Sequence, residues 1–235
     1  MKKIFVVLAI LIVTISVLLG FFSENLFSPK FSCRLGNMDK CNQINRQGNI
    51  LMQKQEYKEA EILLKTACNA KLWKACSNLG ALYMQTKDNK NAEIYLKKSC
   101  DNGFWGGCDN LGRLYLQEEN FAQALPLFEK ACNEGLHKSC FFAGNIYFHA
   151  KGVSQDYVQS AKFFELACEN GEFEGCLALA HQYGKGYGVK QDMLKSIQLA
   201  QKACNGGMQK ACEALEMLKE RINDRIKQRR NRRGN

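Results

Sequence analysis

The sequence predicts an all-α solenoid of repeated helix pairs, and three observations carry that reading. Its twelve cysteines fall in six C-x7-C pairs: Cys33 and Cys41, Cys68 and Cys76, Cys100 and Cys108, Cys132 and Cys140, Cys168 and Cys176, Cys204 and Cys212. Successive pairs begin 35, 32, 32, 36 and 36 residues apart, a period in the range of helical repeat arrays. Between the pairs, apolar residues recur at helical spacing rather than in strict alternation.

The first element is the N-terminal segment, residues 1–30. Met1, Lys2 and Lys3 precede a run from Ile4 to Phe22 with no charged residue, the pattern of a basic n-region and a long apolar h-region. Nineteen residues at helical rise reach about 28 Å, close to a hydrocarbon core. Length alone therefore leaves a cleaved signal peptide and an uncleaved signal anchor both open. No small-x-small cleavage site stands out, and Leu18, Leu19, Gly20 lacks a lipoprotein cysteine. Either outcome places the remainder secreted or in the periplasm, with the anchor outcome tethering it to the inner membrane, and disulfides persist there.

The repeat array occupies residues 31–218. Cys76 leads into Asn78, Leu79, Gly80 and Tyr83; Cys108 into Asn110, Leu111, Gly112 and Tyr115; Cys140 into Ala143, Gly144 and Tyr147. Each unit then closes on a second apolar stripe, such as Ala60, Ile62, Leu63, Leu64 and Ala67, so each reads as two antiparallel helices. Gly103, Gly135, Gly171 and Gly206 follow the first cysteine of a pair by two or three residues, and are expected to provide the left-handed cap between units. The first full unit has Ala70 and Lys71 there instead. In the last two full units the loop inside the pair is longer, 151–156 and 185–192, which explains the step from 32 to 36, and Asp156 and Asp192 are expected as N-caps. Pro126 should kink the helix of residues 120–133. Gly48 follows Cys41 by seven residues, where Gly80, Gly112 and Gly144 follow their cysteines by four, so Cys41 sits about one turn early. Trp73 and Trp105 read as packing anchors between units.

Residues 219–235 form a basic tail with eight bases against two acids, which accounts for +6 of the net charge of +10. The body is nearly balanced, which argues against a broad nucleic-acid-binding face. Outside the cytoplasm the expected partner of the tail is an anionic envelope surface, with a solubilising end as the alternative.

With its Leu-Gly-x-x-Tyr cores, Lys-Gly-Val-x-Gln-Asp loop and C-x7-C pairs over residues 41–218, the chain resembles the Sel1-like repeat family, relatives of tetratricopeptide repeats, and within it the Helicobacter cysteine-rich proteins. The two 32-residue units look closer to plain tetratricopeptide units. The resemblance implies a right-handed α/α solenoid, one disulfide per repeat, secretion, and in some members penicillin binding and slow β-lactam hydrolysis. Beside it, the residues themselves support staples. One cysteine stands near the end of a helix and its partner near the start of the next, so folding back between them brings both within bridging range. Zinc and haem are poor fits, because no C-x2-C occurs and there are three histidines in the chain. No cofactor or metal is expected.

Taking Leu79, Gly80 and Tyr83 to face the neighbouring helix, the positions two before, one after and five after the glycine share another face. In tetratricopeptide-like arrays that face lines a concave groove. Here it carries Asn78 and Gln85, then Asn110, Arg113 and Gln117, then Phe142, Asn145 and His149, then His181 and Lys185. Amide donors and a guanidinium suit a peptide, a protein segment, a peptidoglycan-like ligand or a carboxylate such as that of a β-lactam; a solvated helix face is the alternative. Catalytic residues remain unknown: no serine is followed by lysine three residues later, and His137, His149 and His181 lie in three different units. β-Lactamase activity is thus implied by the resemblance alone. The sequence reading is an exported binding scaffold, with a β-lactam hydrolase as its alternative.

Overall fold

The computed structural model describes residues 28–233, and the Ile4 to Phe22 segment lies outside them. Among the described residues there are twelve α-helices and no strand. They are α1 Pro29–Arg34, α2 Met38–Gln53, α3 Tyr57–Asn69, α4 Trp73–Gln85, α5 Asn89–Asp101, α6 Trp105–Gln117, α7 Phe121–Asn133, α8 His137–His149, α9 Tyr157–Glu169, α10 Phe173–Lys185, α11 Met193–Asn205 and α12 Gln209–Arg233. The helices divide between two compact units that meet inside α6, between Asn110 and Leu111. No described helix is long and apolar enough to cross a membrane.

In the first unit, α2 pairs with α3 and α4 with α5. Leu64, Leu79, Leu82 and Leu96 are fully or almost fully buried, because the apolar positions of each helix recur every three or four residues and form one stripe. Gly48 and Gly80 let paired helices approach closely. A Cβ at Gly48 would stand 2.8 Å from the Leu64 side chain, and one at Gly80 would run into that of Leu96. Gly48 is thus equivalent to Gly80, and the early position of Cys41 has a simple cause: α2 has 16 residues where α4 has 13, with the extra turn at its N-terminal end.

The second unit repeats the scheme. Gly112 packs on Phe128 and Gly144 on Phe164, with Cβ approaches of 2.9 and 2.6 Å. The connections 150–156 and 186–192 are the longer loops, and Asp156 and Asp192 cap the helices after them: Asp156 accepts from the N–H groups of Val158 and Gln159, and Asp192 from that of Lys195. Helix α7 continues through Pro126, which lies on its exposed side. There the ring removes an N–H whose would-be carbonyl partner, on exposed Ala122, has solvent to turn to.

All six cysteine pairs are bonded, and the Cα atoms of each pair are 4.5–4.8 Å apart. Each bridge ties the end of one helix pair to the start of the next. The residue three after the first cysteine has positive φ in every joint: Gly36, Lys71, Gly103, Gly135, Gly171 and Gly207. The left-handed residue of the last joint is therefore Gly207, not Gly206, whose φ is −74°. The cause is register: this joint closes as the others do, with Met208 N–H bonded to the Ala203 carbonyl, as Leu136 N–H is to Ala131. Such a bond from five residues back requires the left-handed residue immediately before its donor.

Candidate ligand groove and family

Two groove positions of the first unit, Asn78 and Asn110, are engaged with the preceding first helix. Asn78 on α4 donates to Asn45 Oδ1 of α2 at 2.9 Å, and Asn110 on α6 donates to Ser77 Oγ of α4 at 3.1 Å. These two amides therefore knit successive first helices together, each 33 residues along the chain. Gln85 is exposed on the last turn of α4. In the second unit, the Arg113 guanidinium lies 5.2 Å from the centre of the Phe142 ring, and the same ring stacks on Phe128 at 5.0 Å. A cation over an aromatic face is itself favourable, so Arg113 has a packing role beside the ligand-gripping one expected of it. Gln117 is exposed.

Asn145, His149 and His181 come together. They border a cavity of about 320 Å3 with an aromatic floor, where Phe141, Phe148 and Phe164 meet Leu177. Helices α8 and α10 supply its walls, because residues 145 and 181 occupy the same register position, one after the close-packed residue, in consecutive units. Phe148 sits at the centre of a ring cluster, 5.9 Å from His181, 5.2 Å from Tyr157 and 6.1 Å from Tyr187, while Tyr187 stacks on Tyr157 at 4.9 Å. Desolvation among these rings, reinforced by the charge of Lys185, holds the His181 imidazole below its ordinary range. At neutral pH it is a neutral donor and acceptor rather than a cation. Glu174 stands at the same cavity.

Sequence reasoning placed the two histidines in separate units; the structure puts them at one opening. The aromatic floor was missed, since Phe141 and Phe148 fall outside the chosen stripe, yet the cluster Phe141, Phe142, Tyr147, Phe148 was visible as an aromatic density. No serine lines this cavity, and among the described residues no group of three His, Cys, Asp or Glu side chains is arranged to hold a metal.

The Sel1 repeat model matches residues 137–172 and 174–208, and tetratricopeptide repeat models match 74–101 and 108–134. Among solved structures, a protective antigen of uropathogenic Escherichia coli with the SLR fold aligns at TM-score 0.72 and 24% identity, covering 82% of this chain. The chain spans 44% of that antigen's length. Cysteine-rich protein B of Helicobacter pylori aligns at 27% identity over 55% of this chain and 96% of its own, with TM-score 0.46. YrrB, a tetratricopeptide protein with an unusual peptide-binding site, aligns at TM-score 0.51 and 17% identity over 74% of this chain and 90% of its own. No curated protein matches the chain significantly in sequence. Repeat models falling in turn on four consecutive helix pairs, each closed by a disulfide, make the chain a member of the Sel1-like, tetratricopeptide-related repeat proteins.

Proposed function

We propose that the protein is an exported scaffold that binds an extended peptide segment on the α8 and α10 face. The observation that carries this reading is the cavity in which polar Asn145, His149 and His181 surround an aromatic floor. Concave, mostly apolar sites with a few convergent polar groups are the ordinary form of ligand sites. A peptide offers both chemistries, with side chains for the rings and amides for the imidazoles and Asn145. A protein segment or a peptidoglycan stem peptide presents the same groups. Six disulfides fit an oxidising environment outside the cytoplasm, and secretion or a periplasmic location, free or tethered, agrees with the charge pattern of the N-terminal segment. The basic end of α12 is read as the contact with an anionic envelope surface. Removing residues 219–235 is expected to abolish binding to phosphatidylglycerol vesicles at low salt.

No structural observation favours β-lactam hydrolysis, and penicillin binding would use the same opening as a peptide. The test is selection of decapeptides by display against the oxidised protein. Enrichment of a common motif that binds the Asn145→Ala, His149→Ala double variant at least tenfold more weakly is the expected result. Equal binding to the double variant would remove this face as the site.

A further inference from the structure

Five of the six bridges are shut away from solvent. The ten cysteines from Cys33 to Cys176 are 0–5% exposed, whereas Cys204 and Cys212 are both partly exposed. The cause lies in how a bridge is covered. Ala67 packs with Cys33 and Cys41, Ala167 with Cys132 and Cys140, and Ala203 with Cys168 and Cys176. Each of these alanines stands just before the next cysteine, on the second helix of the following pair. For the Cys204–Cys212 bridge that position belongs to a helix after α12, and no described helix follows α12. Access is what separates this bridge from the others, because its chemistry is theirs. Every second cysteine is the fourth residue of its helix, in the first turn, where the helix dipole favours a thiolate. Every first cysteine is the last residue but one of its helix, where the dipole opposes a thiolate. Cys212 is therefore the better leaving group of its pair, since the thiol of lower pKa leaves faster. Residues 201–212 include Lys202 and Lys210 and no acid, the first acid after them being Glu213. A cationic neighbourhood favours both an approaching thiolate and a departing one.

We propose that the Cys204–Cys212 bridge is a thiol-exchange site, which a thiol reductant opens while the other five bridges stay closed. The reductant's thiolate attacks Sγ of Cys204 and forms a mixed disulfide there. The bond between Cys204 and Cys212 breaks, and its electron pair leaves on Cys212 as a thiolate that takes up a proton. A second thiol of the reductant then displaces the first and releases Cys204 as a thiol. Two electrons and two protons have entered the chain, and the reductant leaves as a disulfide. The product keeps α12 seated through the buried Ala211 and Leu215, and carries a free dithiol across the joint of residues 205–208.

The test exposes the full oxidised chain, under native conditions, to glutathione in one arm and to reduced thioredoxin, a protein dithiol, in the other. Samples taken at intervals are alkylated with iodoacetamide and mapped by peptide mass. Cys204 and Cys212 should react about tenfold faster or more than any other cysteine, at a rate proportional to the reductant concentration. Opening by glutathione alone assigns the site to small thiols, and opening by thioredoxin as well extends it to protein partners. In the early glutathione samples, glutathione should be found on Cys204 and the alkyl group on Cys212; the reverse placement overturns the direction of attack. Equally fast reaction of a second bridge, or no opening in either arm, overturns the site. So does a rate that stops rising with reductant concentration, because the bridge would then react only after the helix end had come loose.

Discussion

Gly144 shows how a single missing side chain sets the distance between two helices. Its replacement by alanine would place a methyl group 2.6 Å from the Phe164 ring, so Gly144→Ala is expected to cost about 1–3 kcal/mol of overpacking, measured by denaturant unfolding. Combination with Phe164→Leu should cost less than the two separate losses added together, because the second change gives the methyl group room. Tyrosines follow another rule. Tyr147 donates to Glu129 at 2.8 Å and Tyr83 to Glu61 at 2.7 Å. Burial, and then the accepting carboxylate, push Tyr147 up to about 12 and raise Tyr83 further. A proton held to a higher pH in the folded chain than in the unfolded one contributes stability that is complete below the ordinary value of 10 and fades as the pH climbs through about 12. Stability measured from pH 9 to 12 should therefore fall less steeply in Tyr147→Phe than in the wild type. Residue identity told the groove positions apart poorly. Asn78 and Asn110 read as ligand donors because their spacing matches a helix face; that each reaches the preceding first helix depends on how closely those helices pack, which no spacing within one unit encodes.

Helices and joints were far more legible, since the glycines, cysteines and capping aspartates mark their ends chemically. Asp156 and Asp192 cap as their position before an apolar stripe requires, whereas the choice between Gly206 and Gly207 turned on a single backbone bond that composition does not distinguish. The joint at Lys71 is the informative exception. Its φ of 66° is one that side chains with a Cβ adopt at a cost, and the five matching positions are glycine. Lys71→Gly should stabilise the first unit by about 0.5–1 kcal/mol, the left-handed strain relieved less the extra freedom of the unfolded chain. A lower melting temperature in this variant would show that the Lys71 side chain contributes more than its backbone costs. The sixteen-residue α2 makes the same point about spacing: its additional turn shifts Cys41 in sequence without moving it from its partner.

Repeat arrays lack the long-range contacts of a globular core, so stability is close to a sum over units and their interfaces. Each disulfide here closes a nine-residue loop, and opening one, as in Cys132→Ser with Cys140→Ser, should cost about 2.5 kcal/mol on the chain-entropy estimate, seen as a lower unfolding midpoint. Because every bridge spans a joint and none spans the loop inside a helix pair, the chain responds to a protease in two distinct ways. A cut between Cys132 and Cys140, at Gly135 for instance, leaves both fragments joined through sulfur, so the product migrates as an intact chain until a reductant is added. A cut in the 150–156 or 186–192 loop severs a connection that no bridge backs up, and its fragments separate under denaturation alone. The staples therefore protect the places where the array bends between units, and expose the longer loops as the points from which a protease could take it apart.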